Sequence, residues 1–506
     1  MKKNKNLIFI IISIIFFEIF MGFQLISNEI KVSNKYVLFY VGLCIISNVI
    51  GITSYLILNK KKNIKIEQIF LMLSILFGGL YLVFVPAMLG TDELPHYLRS
   101  YQISVGDVIV KHPERNSTLM PEELMSLLTE PSIINRYNKN NLFKPTDYNK
   151  KTNIYNGNVT SIKYSPIPYL PQVLGFWISR LLCLSPVLTL FCVRGVNLLV
   201  WIILGYFSIK LLPCKKTFAT ILYTSPAVLS LVGTCSGDAF ALGLMFLISS
   251  YIFNLTSTKG NVTKKDYFIF MILSLLLSTY KMFYVIFLFL LFVIPNKKFK
   301  NIKQKLLFVL SIIGCSILVD YIWFSLTSIN DSISNVEVTK QIHFILSNPL
   351  YYFMTFLNTF FKDSYYYISN LVGGSEMCYG IVKMNQIFIF VYLYILYLSF
   401  KSSKTSIKMN NISKIFICLI CLAIIGLVST ALYVDWTSHK LGIGSNIIIG
   451  VQARYFIPLI IPLIMLAPSL KKNYKITNNY WNMVIAIDIL LFINTINSIF
   501  IAISQS

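Results

Sequence analysis

Residues 91–99 read Thr91-Asp92-Glu93-Leu94-Pro95-His96-Tyr97-Leu98-Arg99, which places two carboxylates, an imidazole and a guanidinium in one short stretch. Adjacent carboxylates repel, which raises the pKa of one and suits it to general-base work. His96 and Arg99 are spaced to share a helix face. Glu93 and His96 have the spacing of a helical metal-ligand pair, and so permit a divalent cation, Mg or Mn, without demanding one. The same residues also describe an ordinary helix start, with Thr91 as cap and acids in the first turn.

Three more places carry polar groups beside apolar runs. Ser236-Gly237-Asp238 joins two such runs and is either a helix cap or a site carboxylate. Thr279-Tyr280-Lys281 interrupts another, where Lys281 either snorkels to headgroups or contacts a phosphate. Gln452-Ala453-Arg454-Tyr455 opens a late apolar run. The planar fork of an arginine fits phosphate, whether that of a bound substrate or of the surrounding lipid. Asp435 and His439 lie just upstream and can join the same surface.

The elements that must position these residues follow from composition. The chain has 506 residues, 56% apolar and 13% charged, against about 45–50% and 25% in soluble proteins. The excess lies in runs long enough to cross a bilayer, which excludes a soluble enzyme, a disulfide scaffold and a disordered tail protein. The net charge of +24 is not spread evenly. The stretches 1–6, 59–65, 210–216, 259–265, 296–305, 401–414 and 471–475 hold 25 Lys and Arg and no Asp or Glu, whereas 89–165 holds nine basic and eight acidic residues. This is the positive-inside pattern, not a nucleic-acid surface.

With the basic loops cytoplasmic, spans are expected near 7–27, 36–58, 67–88, 187–209, 217–235, 239–255, 267–280, 282–295, 305–325, 384–400, 412–434, 455–469 and 480–502. The fold class is thus an all-α, polytopic transmembrane helical bundle of about 13 spans, with N-terminus inside. An outer loop covers 89–165 and a second outer segment 326–383. Three prolines in Pro166-Ile167-Pro168-Tyr169-Leu170-Pro171 make 166–184 a poor span, so it is expected as a helix on the outer membrane surface. The nine cysteines are scattered, mostly in apolar runs, and are expected as small buried residues. The first apolar run, 7–26, is expected as an uncleaved span.

Taken together, Asp92-Glu93-Leu94-Pro95-His96 with Arg99, the stretch Tyr164-Ser165-Pro166-Ile167-Pro168-Tyr169-Leu170-Pro171-Gln172, Gly237-Asp238, Lys281 and Gln452-Ala453-Arg454-Tyr455 resemble the domain of unknown function 2142 family of bacterial membrane proteins. That family looks like a branch of the GT-C glycosyltransferase superfamily. Glycine usually stands in the family where this chain has Ala453, and two expected spans here precede 67–88. The resemblance implies a GT-C-like catalytic module over 67–470, and the span pattern adds an N-terminal hairpin over 1–66 and a C-terminal helix over 471–506. It also implies an extracytoplasmic active site in the bacterial plasma membrane. Sugar would pass from a polyprenyl-phosphate donor to an envelope glycan acceptor. Asp92 and Glu93 would be catalytic; His96, Arg99, Asp238, Lys281, Gln452, Arg454 and Tyr455 would bind substrate. A lipid-linked glycan transporter and a polysaccharide polymerase are the competing functions, and the expected partners besides substrate are the lipid bilayer and no nucleic acid.

Overall fold

A computed structural model describes Val49 and residues 65–468, apart from 110–116, 134, 156–160, 162–163, 328–331, 376, 378–383, 385 and 402–405. Apart from Val49, Lys65 and Ile66, the spans expected at 7–27, 36–58 and 480–502, the hairpin 1–66 and the helix within 471–506 lie outside the described residues. What is described is mostly helical, with a single antiparallel hairpin that pairs Ser117–Pro121 with Lys151–Tyr155 inside the polar segment.

The helices that frame the site are α1 (Ile66–Phe84), α2 (Glu93–Ser104), α3 (Leu170–Leu181), α4 (Pro186–Leu211), α5 (Gly237–Ser257), α6 (Lys264–Ser278), α7 (Ile302–Thr327) and α8 (Asn411–Leu432). Among the described residues five helices are long and apolar enough to cross a membrane: α1, α4, α5, α7, and α8 with its continuation to Leu441. Met282–Val293, Gln386–Lys401 and Ala453–Leu466 are shorter apolar helices. The sequence expectation of thirteen spans is therefore met only in part. The stretch expected as one span at 217–235 is two short helices, Lys216–Tyr223 and Pro226–Val232, because Pro226 cannot donate to the turn before it. The break at Thr279–Lys281 falls as the sequence indicates, but the run after it, Met282–Val293, is a 3-10 helix.

The bundle packs through apolar stripes at helical spacing. On α1, Phe70, Leu73, Phe77 and Tyr81 are buried and face α4 and its neighbours. Gly205 lets α4 approach closely: a Cβ there would lie 2.4 Å from Cζ of Phe70. The segment expected as a helix on the outer membrane surface is helical over Leu170–Leu181 and forms one leg of a hairpin. Here α3 packs along α4, with Gly175 so close that a Cβ would meet the Val193 backbone at 2.6 Å.

The two ends of the bundle differ in chemistry. At one, lysines of the basic loops cap helix ends: Lys216 Nζ donates to the Lys210 carbonyl at 2.8 Å, and Lys305 Nζ to the Phe292 carbonyl at 2.8 Å. At the other, the starts of α2, α5, Met282–Val293 and Ala453–Leu459 converge. Cysteines do not form disulfides among the described residues; Cys214, Cys235 and Cys421 are buried as expected, but Cys183 and Cys315 are exposed.

Candidate functional site

The converging helix starts surround a cavity of about 400 Å³, within the size range of small-molecule sites. Asp92, His96, Asp238, Lys281, Gln452, Arg454 and Tyr455 all line it. Residues more than 350 positions apart in the chain meet there through an ion pair between Arg454 Nη2 and Asp92.

Asp92 is the N-cap of α2 and adopts a left-handed backbone at φ +56°, with no side-chain cap bond. Asp tolerates that region better than most residues. Thr91, the cap expected from sequence, does not hold that position. The unusual backbone turns the Asp92 carboxylate into the cavity, where 38% of the side chain remains exposed.

Glu93, its neighbour, points the other way and is fully buried. Arg194 of α4 grips it at both oxygens: Nε donates to Oε1 at 2.7 Å and Nη2 to Oε2 at 2.6 Å. The backbone N–H groups of Cys235 and Gly90 donate to the same carboxylate at 3.0 and 3.1 Å. The remaining Arg194 donors serve the carbonyls of Leu82, Val85 and Pro86. Glu93 therefore ties α1, α2, α4 and the Cys235 turn together, and it has neither exposure nor a free lone pair for proton abstraction. Of the two carboxylates expected to be catalytic, Asp92 lines the cavity and Glu93 does not.

Arg99 is likewise not brought to the cavity. It is buried and holds the loop chain, donating to the carbonyls of Asp107, Val108 and Tyr164 at 3.3, 2.8 and 3.0 Å. Sharing a helix face with His96 did not mean sharing a site.

Asp238 sits in the first turn of α5, whose cap is Ser236: its Oγ accepts from the Asp238 N–H at 3.2 Å. The Asp238 carboxylate accepts from Tyr280, pairs with Lys281 Nζ at 2.8 Å and faces Arg454 Nε at 3.5 Å. Lys281 also lies 4.7 Å from the ring centres of Tyr280 and Tyr455. Gln172, in the proline-rich stretch, holds the Ser236 carbonyl and Asn197 Oδ1, each at 2.9 Å, and so sets the turn that presents Asp238. Tyr169 from the same stretch bonds His96 Nδ1 at 2.7 Å.

Burial pushes the His96 imidazole down to about 4, against the pull of the Asp238 and Asp92 carboxylates. It is neutral at pH 7. The unfolded chain, with an ordinary value of 6.5, binds more protons between about 4 and 6.5. Stability therefore falls as pH drops through that window, by about 3 kcal/mol in all. Thermal unfolding of the detergent-purified protein between pH 7 and 4 should show that loss, and His96→Gln should flatten it; an equal slope in the variant would assign the loss to other groups.

Two residues that shape the site escape sequence reasoning. Arg194 stands inside an apolar run, where a charged residue is itself a signal. Trp436, on the cavity wall, carries no motif. Among the described residues no group of three or more His, Cys, Asp or Glu is placed to hold a metal ion, and the Asp92 and Asp238 carboxylates are each committed to a cation. The donor set does not fit a divalent cation.

Long apolar helices enclosing a charged cavity at one end define a polytopic helical membrane protein. The chain belongs to the DUF2142 family, described as predicted membrane proteins, whose family model matches residues 75–463 and so spans every residue of the site. No curated protein and no solved structure matches the sequence.

Proposed function

We propose that this protein is a membrane glycosyltransferase that moves a sugar from a polyprenyl-phosphate donor to a cell-envelope glycan or wall-polymer acceptor on the outer face of the bacterial plasma membrane. The observation that carries the proposal is the cavity: a partly exposed carboxylate, Asp92, stands beside two cations, Lys281 and Arg454, at the end of the bundle opposite the basic loops. By the positive-inside rule that end is extracytoplasmic. A donor with its tail in the bilayer would present its phosphate there.

The chemistry follows from the groups present. Asp92 takes the proton of an acceptor hydroxyl. The hydroxyl oxygen bonds to the anomeric carbon, and the bond from that carbon to the phosphate oxygen breaks. The electron pair leaves on the polyprenyl phosphate, whose charge Lys281 and Arg454 stabilise. Arg454 Nη1 is buried without a hydrogen-bond partner, a donor available to that phosphate. Asp238 holds both cations in place and is itself fully engaged. Phosphate is a good leaving group, so no acid is required.

The test is a direct transfer assay with purified protein, polyprenyl-phosphate sugars and envelope glycan acceptors. Wild type should release polyprenyl phosphate. Lys281→Met should raise the donor KM by about tenfold, the loss of one charge-assisted contact. An unchanged KM would remove Lys281 from phosphate binding. If no donor is consumed and lipid-linked glycan instead crosses proteoliposomes, the protein is a transporter. The observation favouring that reading is Asp320, a carboxylate inside α7 with a buried, unpartnered oxygen.

A further inference from the structure

The cavity has a second wall that the transfer step does not use. It is built where α8 ends in a π-helical turn, Tyr433–Thr437, the kind of local distortion that recurs at functional sites. The turn is pinned to the loop that follows: Tyr433 donates to the Ser445 carbonyl at 2.7 Å, and the Ile449 N–H donates to Thr437 Oγ1 at 3.1 Å. Between those two anchors stand Asp435 and Trp436, both lining the cavity.

The Trp436 ring is seated on backbone. Gly450 lies against it at φ +85°, and a Cβ there would come within 2.9 Å of Trp436 Cδ1. The ring nevertheless leaves Trp436 44% exposed. Lys440 Nζ lies 5.3 Å from the ring centre, and the rest of this large apolar ring, held by backbone beside a polar cavity, offers a stacking platform. Around it are acceptors: the Asp435 side chain is 59% exposed, with Oδ1 3.6 Å from His439 Nε2, and Gln452 Oε1 is buried with no hydrogen-bond partner. An orphaned buried amide oxygen is costly unless a ligand hydroxyl meets it.

A flat apolar face bordered by a carboxylate and an amide carbonyl matches one ligand class, a pyranose ring. The C–H face of the sugar would cover the indole, and its hydroxyls would donate to Asp435 and Gln452. We propose that Trp436, Asp435 and Gln452 form a carbohydrate subsite in the cavity. This rests on the transferase reading only for where the sugar comes from, either the donor's own sugar or the acceptor's terminal residue.

The test is ligand-observed saturation-transfer NMR on the full chain in nanodiscs. The probes are methyl glycosides of glucose, galactose, N-acetylglucosamine and N-acetylgalactosamine, and a short-chain citronellyl-phosphoryl sugar. Wild type should saturate the ring C–H protons of at least one probe. Trp436→Leu should weaken that binding about tenfold or more, while Trp436→Phe, which keeps an aromatic face, should retain most of it. A larger effect on the free glycoside assigns the subsite to the acceptor; a larger effect on the phosphate-linked sugar assigns it to the donor. Equal binding of every probe by wild type and Trp436→Leu, or binding of citronellyl phosphate without any sugar signal, would overturn the subsite. That second result would leave the phosphate contacts of the transferase reading standing. Sugar binding without any transfer would do the reverse.

Discussion

Asp92→Asn is expected to lower transfer by about a thousandfold while tightening the binding of a phosphate, so that kcat and donor KM fall together. The first part is the ordinary contribution of a positioned general base, about a hundredfold to ten-thousandfold. The second comes from the charges. In the resting cavity Asp92 and Asp238 balance Arg454 and Lys281, and Asp92 occupies a guanidinium nitrogen that a phosphate would use. An incoming anion must displace it. Asparagine removes that competitor and leaves one net positive charge, worth about tenfold in affinity for a charge-assisted contact. Asparagine also tolerates the left-handed backbone at φ +56°, so the start of α2 should survive. Calorimetric titration with a short-chain isoprenyl phosphate, run beside the transfer assay, separates the two effects. Weaker phosphate binding in the variant, or transfer at the wild-type rate, would each be incompatible with an Asp92 that acts as base and occupies Arg454.

The second large effect concerns stability alone. Arg194→Met should destabilise the bundle by about 3–5 kcal/mol, the cost of leaving a buried carboxylate without its partner. Glu93 would keep only two backbone N–H donors, and the carbonyls of Leu82, Val85 and Pro86 would lose theirs. The double variant Glu93→Leu with Arg194→Met should recover part of the loss, because no buried charge remains. Melting followed by size-exclusion chromatography in detergent reads both, and Asp92→Asn should melt near wild type in the same experiment. An unshifted melting point in Arg194→Met would mean that the pair does not hold the four elements together.

The contrast between Asp92 and Glu93 shows where sequence reasoning stops. Composition and the basic loops determined a helical membrane protein, because bilayer insertion depends on runs of apolar residues and on charge near their ends. Short-range rules placed a cap within Ser236-Gly237-Asp238, which the structure gives to Ser236, and the break before Lys281, since capping and helix interruption involve residues a few positions apart. Polar groups beside apolar runs, together with the family resemblance, brought forward Asp92, His96, Asp238, Lys281, Gln452, Arg454 and Tyr455, all of which line one cavity.

Which of two adjacent carboxylates faces that cavity was not a local matter. It depends on an arginine 101 residues away that draws Glu93 inward, and on a left-handed turn at Asp92 that no neighbouring residue dictates. Arg99 lies away from the cavity for the same reason: helix periodicity gives a face, but the loop carbonyls that claim its guanidinium come from packing. The hairpin of α3 on α4 and the Trp436 wall also arise from contacts distant in sequence, Gly175 with Val193 and Gly450 with Trp436. The sequence by itself determined the kind of protein and the chemical groups available; the tertiary structure decided which groups meet, because burial and pairing of charge are settled between elements and not within them.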